Sequence, residues 1–335
     1  MLLNPFQARK LFTHALENGY AVLAVNADSP AAVIDCLEAA REAKAPIIIE
    51  TSLWQLTGRS FGAGNALRGL ASYLVQLAHL AGDERYADLP ILFHTDHIKG
   101  PETLPLLTSA IRGVPIESRD VTVTLSPSTI SLDSSEMTEE ENIETILALC
   151  KVASDAGAGA TLEMEAGVDD GLTTSETAKR LLGSVEDRAP GMVWLWAPGL
   201  GTRHGLQESS YPEFSVEAVG TQRQLAKEIT GRDIGLALHG SSGLSEEKLR
   251  EAAKAGVVKV NWSSESLLIR SRAAAEYYRT KEKQLQPQNA GFKAAAMDNG
   301  VQSFVSEHYL PRVIDRIALL GGAGRAEAAM KSTLG

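Results

Sequence analysis

Short apolar runs alternate with amphipathic stretches along almost the whole chain, and this rhythm sets the expected fold. The runs are YAVLAVN (20–26), APIIIETS (45–52), LPILFHTDH (89–97), STISLDS (128–134), GATLEMEAG (159–167), MVWLWAPG (192–199), IGLALHG (234–240) and VVKVNWSS (257–264). Near-continuous apolar runs of this length read as strands buried on both faces. Between them, segments such as AAVIDCLEAAREA and EENIETILALCKVASDAG read as helices that cover a sheet. VTVTL (121–125) competes with STISLDS for the fourth place. Strands that alternate with helices eight times predict an α/β fold of the (β/α)8 TIM-barrel type over an open doubly wound sheet. No Gly-rich or Pro-rich linker divides the 335 residues. The expectation is a single domain over 1–335, with a helical C-terminal extension over about 281–335.

Composition narrows the setting. A hydrophobic content of 44% supports a large core, and a formal charge of −10 with no basic cluster excludes a nucleic-acid footprint or an anionic-membrane patch. The two cysteines, Cys36 and Cys150, both fall inside helical patterns, which argues for core thiols in a reducing compartment. The N-terminal stretch lacks the apolar segment and cleavage site of a signal peptide, and no later run approaches a membrane span. A cytoplasmic protein with no membrane or nucleic-acid partner is expected.

Barrel enzymes gather their functional groups at the C-terminal ends of the strands. In this chain His97 ends the third run, Asp133 the fourth, and Glu163 and Glu165 the fifth. GLGTRHG with His204 follows the sixth, His239 ends the seventh and Asn261 lies on the eighth. Three imidazoles from three strands, with an open fourth position, make the donor set of a catalytic zinc site. Only one of Glu163 and Glu165 is expected to face the mouth. Among the lysines only Lys259 comes near the barrel centre, and a lysine imine is not expected.

Taken in order, HTDH, EME with its acidic loop, GTRHG, LHGSSG and KVN resemble the class II, metal-dependent ketose-bisphosphate aldolases, of which fructose-1,6-bisphosphate aldolase is the best-known member. The likeness runs from YAVLAVNADS through SLDSSEMTEEENI to YLPR, ending at Arg312. It implies Zn2+ or another divalent metal on His97, His204 and His239, and leaves room for a monovalent cation. It makes Asp96 the acid/base for the substrate hydroxyl, and places Asp133 and Glu165 as carboxylates that orient a ligand or offer an alternative metal position. Gly240, Ser242, Asn261, Ser263 and Ser264 would hold one phosphate and the substrate. Ser52, with Arg312 of a neighbouring subunit, would hold the distal group. His94 is expected to face away and orient neighbours, and His14, His79 and His308 receive no role.

The chain departs from the family pattern in several places. Ser263 and Ser264 stand where the family has Asp-Thr, Trp54 replaces a small residue after Ser52, and Arg203 precedes a metal histidine. The acidic loop is compressed to AGVDDG, with Asp169 the expected acid/base for the substrate C–H proton and Asp170 its substitute. The implied function is reversible cleavage of a ketose (bis)phosphate, first of all fructose-1,6-bisphosphate, to dihydroxyacetone phosphate and an aldehyde such as glyceraldehyde 3-phosphate. The alternatives are another ketose phosphate (tagatose, sedoheptulose or a sulfo-sugar), a zinc barrel hydrolase, and a non-catalytic aldolase-like partner subunit. A homodimer or higher homo-oligomer is expected.

Overall fold

The Val-, Ile- and Leu-rich runs become short strands: β1 (Val22–Asn26), β2 (Ile47–Thr51), β3 (Ile91–Thr95), β4 (Val114–Ser118), β5 (Val121–Leu125), β6 (Thr129–Ser131), β7 (Leu162–Glu165), β8 (Val193–Ala197), β9 (Gly235–Leu238) and β10 (Val257–Trp262). In a computed structural model, which describes all residues except 101–102, 120, 134–135, 158, 168, 170 and 207–213, eight of these close into a barrel. The barrel order is β1, β2, β3, β6, β7, β8, β9, β10, and β10 pairs back onto β1. Each of these pairings is parallel. The two remaining strands, β4 and β5, form an antiparallel hairpin outside it.

The choice between VTVTL and STISLDS is thereby settled for the latter. Thr122, Val123 and Thr124 stay exposed on the hairpin, whereas Thr129–Ser131 is buried throughout. An alternating Thr/Val pattern suits a strand with one wet face, and a barrel strand has none.

The helices are α1 (Pro5–Glu17), α2 (Pro30–Ala43), α3 (Leu53–Thr57), α4 (Ala66–Ala81), α5 (Thr103–Arg112), α6 (Glu139–Asp155), α7 (Ser175–Ala178), α8 (Ser184–Arg188), α9 (Val216–Thr230), α10 (Glu246–Ala255), α11 (Ser264–Lys281), α12 (Phe292–Ala296), α13 (Asp298–Leu319) and α14 (Ala326–Leu334). Several starts are written into the sequence. Asn4 with Gln7, and Thr138 with Glu141, close capping boxes that satisfy otherwise orphaned backbone N–H groups. The C-terminal extension is helical as expected, with α13 packed on α2 and α11, and α14 on α1. No helix among the described residues is long and apolar enough to cross a membrane.

The barrel interior is layered because residues two apart on a strand share a face. At the bottom, Val22, Ala24, Ile48, Leu92, Leu195 and Val258 form one apolar cluster with α1 and with Ala329 of α14, which closes that end. One step up these strands come Asn26, Glu50 and His94, and two steps up β3 comes Asp96; all are buried. Apolar packing below and polar side chains above thus follow from the period of two.

α3, which begins just after β2, is held by a close crossing with α4. A Cβ on Gly69 would overlap the carbonyl oxygen of Leu56. Alanine favours a helix interior over glycine by about 1 kcal/mol, but overpacking of this kind costs about 1–3 kcal/mol. Gly69→Ala is therefore expected to lower the thermal midpoint. Gly220→Ala, on exposed α9 with nothing within 4 Å of the added Cβ, is expected to raise it. Differential scanning calorimetry of the two variants checks both signs.

Candidate metal and active site

Asp96 and His97 are adjacent, so in a regular strand they would point to opposite faces. His97 has a left-handed backbone, with φ 47°, at the end of β3. That turn breaks the alternation, and both side chains line the same cavity. A second special backbone position lies at Gly240, where φ is 63° and a Cβ would stand 2.6 Å from the carbonyl oxygen of Arg203. Only glycine lets the loop carrying His204 lie this close to the one that follows His239.

The three histidines converge. Their ring centroids are 4.4 Å apart for His97 and His204, 5.1 Å for His97 and His239, and 5.8 Å for His204 and His239. One nitrogen from each lies within 4.8 Å of the others. Each imidazole is also tied to its own carboxylate. His97 Nδ1 is 3.3 Å from Asp133 Oδ2, His204 Nδ1 is 2.9 Å from Asp169 Oδ2, and His239 Nε2 is 2.8 Å from Glu163 Oε1. Such bonds fix the tautomer and aim the second ring nitrogen.

Asp96, 1% exposed, accepts hydrogen bonds from the amides of Asn26 (3.1 Å) and Asn261 (2.9 Å). Burial alone would raise its pKa, but His97 and Lys259 outweigh burial and hold the carboxyl well below the usual range. Asp96 is thus ionised at any physiological pH.

The surrounding cavity has a volume of about 490 Å³, and its wall includes Ser52, Trp54, Gly240, Ser242, Ser263 and Ser264. Ser52 caps α3 by accepting the Trp54 N–H at 3.3 Å, and Ser242 Oγ accepts the Glu265 N–H at 3.4 Å. Ser263 starts α11 without a side-chain cap bond. Arg312 lies outside this cavity on α13, where it faces Asp315 at 3.8 Å. Asp170 lies outside the described residues.

The structure brings together residues that the sequence reading left apart. Glu163 and Glu165 both point inward, because residues two apart share a face; Glu165 lines the cavity and Glu163 lies a layer below, on His239. His94 does not face away. It is fully buried in the lower layer, with Nδ1 2.7 Å from Thr129 Oγ1 and Nε2 3.9 Å from Glu163. Asn26 was missed, although it ends its strand as the other site residues end theirs. Asp169 spends both oxygens on His204, the second at 2.8 Å from the backbone N–H.

Residues 6–312 match the family model described as fructose-bisphosphate aldolase class-II. The chain belongs to the class II fructose-bisphosphate aldolase family. It is accordingly an aldehyde-lyase of a generally metal-dependent group. The fructose-bisphosphate aldolase of Candida albicans is 30% identical over 280 residues, covering 76% of this chain and 75% of that protein. That of Treponema pallidum is 26% identical over 353 residues, covering 95% and 96%. Among solved structures, fructose-bisphosphate aldolase from Campylobacter jejuni aligns over 96% of each chain with a TM-score of 0.77 and 19% identity. The YdjI aldolase from Escherichia coli aligns over 98% of this chain and 100% of its own, with a TM-score of 0.68 and 20% identity. At those identities the structural likeness is one of fold.

The donor set of this aldolase fits a metal ion. His239 Nδ1 is buried without a hydrogen-bond partner, an arrangement that costs free energy unless something binds there. Burial alone would lower His97, but Asp96, Asp133 and Glu165 raise it to about 10. Burial lowers His239 to about 4, against the pull of Glu163. Burial also pushes Glu165 up to about 8 in spite of His97. The negative surroundings thus draw a positive charge to His97, which a proton supplies in the ion-free chain.

The sign of the pH effect follows. At pH 7 the ion-free protein carries a proton on His97 that a bound ion must displace, whereas His239 is already neutral. Zinc binding is expected to release about one proton from His97 and to tighten as pH rises from 7 toward 10. Calorimetric titration in buffers of different ionisation enthalpy measures that proton directly; no release at pH 7 would contradict the charge assignment.

Proposed function

We propose that this chain cleaves a ketose bisphosphate, with fructose 1,6-bisphosphate the leading substrate, to dihydroxyacetone phosphate and glyceraldehyde 3-phosphate, and catalyses the reverse aldol addition. The observation that carries this reading is the meeting, at one barrel mouth, of three carboxylate-held imidazoles with an ionised, amide-braced Asp96. His97, His204 and His239 would hold the metal, for which zinc suits three nitrogen donors with an open position. The ion would supply Lewis-acid polarisation of the ketose carbonyl.

The protein's own groups do the rest. Asp96 accepts the C4 hydroxyl proton as the C3–C4 bond breaks, and Asn26 and Asn261 keep its carboxylate aimed. Gly240, Ser242, Ser263 and Ser264 offer backbone N–H and hydroxyl donors to one phosphate. Asp133 and Glu163 orient His97 and His239. Asp169 is committed to His204, so the C3 proton falls to Asp170, the other aspartate of the loop. Ser52 meets the distal phosphate, and Arg312 reaches it from a second copy, since it lies outside the cavity of its own chain. This makes the active form a homodimer or larger homo-oligomer. The unpaired buried thiols Cys36 and Cys150 support a cytoplasmic setting.

One observation favours a variant of this reading. Trp54, 86% exposed beside Ser52 on the cavity wall, offers a large aromatic surface near the group that would meet the distal phosphate, which leaves room for a different ketose phosphate such as a tagatose, sedoheptulose or sulfo-sugar phosphate. A substrate panel separates the two, and a bisphosphate is expected to rank first. Cleavage of phosphate-free ketoses at equal rate would remove the roles given to Ser242 and Arg312.

The acid/base roles are separable on metal-saturated variants. Asp96→Asn is expected to lower cleavage by about 100-fold or more. It should spare deuterium wash-in at the reacting carbon of dihydroxyacetone phosphate better than cleavage. Asp170→Asn should suppress both, and Asp169→Asn should chiefly weaken metal binding. Loss of wash-in from Asp169→Asn, with Asp170→Asn unaffected, would exchange the two loop assignments.

A further inference from the structure

Directly beneath the mouth lies a cation that is not itself part of the cavity wall. Lys259 is fully buried, and its ammonium has three donors to place. They reach Asn261 Oδ1 at 2.6 Å and Glu163 Oε1 at 3.3 Å, and the ammonium faces Glu163 Oε2 at 3.0 Å and Glu50 Oε2 at 3.5 Å as ion pairs. Strand β10 shifts register against β9 between Val257 and Lys259, and beyond that shift Lys259 and Asn261 share the inner face.

Two of these contacts have consequences one bond further out. Because Lys259 occupies the oxygen of the Asn261 amide, the amide cannot turn round, and its nitrogen must face Asp96, which it meets at 2.9 Å. Because Lys259 holds Glu163 from one side at 3.0 Å, that carboxylate stays aimed at His239 Nε2, which it meets at 2.8 Å, and Nδ1 is left as the nitrogen without a partner. One buried ammonium therefore sets both the amide that braces the acid/base aspartate and the tautomer of a metal histidine.

We propose that Lys259 is a positioning residue that couples the metal site to Asp96, through Glu163 and His239 on one side and through Asn261 on the other. It does not touch substrate. The inference rests on the aldolase reading of the mouth for its Asp96 arm only; the His239 arm needs nothing but an ion.

The test uses the full-length protein and three variants, Lys259→Met, Glu163→Gln and the double variant. Zinc affinity is measured by competition with a chromogenic chelator, and turnover by triose phosphate release from fructose 1,6-bisphosphate at saturating zinc. Lys259→Met leaves a buried carboxylate without its cation, and zinc affinity is expected to fall about 10- to 100-fold, the usual range for the partner of a ligand. The double variant removes both charges, which a buried pair tolerates far better than loss of one partner. It is expected to recover zinc affinity to within about threefold while its kcat stays at least about tenfold low with KM little changed, because the Asn261 amide is still unanchored. A residue that only stabilised the fold would move the folded fraction and leave both constants of the folded protein alone, and that result overturns the proposal. Where Lys259→Met fails to fold, the double variant decides: wild-type kcat at saturating zinc overturns the coupling to Asp96. If no variant, nor the wild type, turns over a ketose phosphate, the aldolase reading has failed. The zinc arm then still decides for Lys259, and unchanged zinc affinity in Lys259→Met overturns it.

Discussion

The interior of this barrel must hold four carboxyl groups almost without water. Glu50, Asp96, Glu163 and Glu165 are each at most 2% exposed, and among the described residues Lys259 is the one lysine buried with them. Removing one partner from a buried ion pair costs about 3–5 kcal/mol, so charges in such a place must balance closely. The balance is reached by dividing the carboxyls into two kinds. Burial keeps Glu50 well above its ordinary range, against the pull of Lys259, and Glu165 up to about 8 in spite of His97. Asp96 and Glu163 are held well below theirs by His97, Lys259 and His94. Asp96 and Glu163 then face His97 and Lys259, and Asp133 stands against the other nitrogen of His97. A divalent ion in place of a proton on His97 would add a unit of positive charge at the mouth.

That charge pattern depends on strand geometry. The period of two places acidic or amide groups of β1, β2, β3 and β7 on the inner face, and the register shift in β10 brings Asn261 to join them, above an apolar floor closed by α1 and α14. The left-handed turn at His97 then departs from the period, so that His97 and Asp96 both face the mouth. Gly240 allows the loops that carry His204 and His239 to approach. Regular pairing builds the container, and two irregular backbone positions aim its contents.

Much of this was legible in the sequence, because the eight apolar runs and the polar groups at their ends reflect burial and strand period directly. The eight barrel strands, the helical extension and the convergence of His97, His204 and His239 could all be read in that way. What escaped depends on contacts between strands. Glu163 was set apart from Glu165, although i and i+2 share a face and the period itself would have corrected that. His94 was turned outward, where the same rule, applied from Asp96, turns it in. The attachment of Asp169 to His204 could not be read at all, since it joins residues in loops after different strands and periodicity says nothing about loops. Whether Arg312 acts in a second copy likewise depends on a contact that no single chain contains.

On the proposed reading, turnover requires an ion held by His97, His204 and His239. The direct measurement is triose phosphate release from fructose 1,6-bisphosphate by the protein as purified, after chelation with residual metal verified by elemental analysis, and after zinc is restored. Activity should vanish with the metal and return with it, with no adduct trapped by borohydride. Undiminished turnover by verified metal-free protein would contradict the assignment of these three histidines.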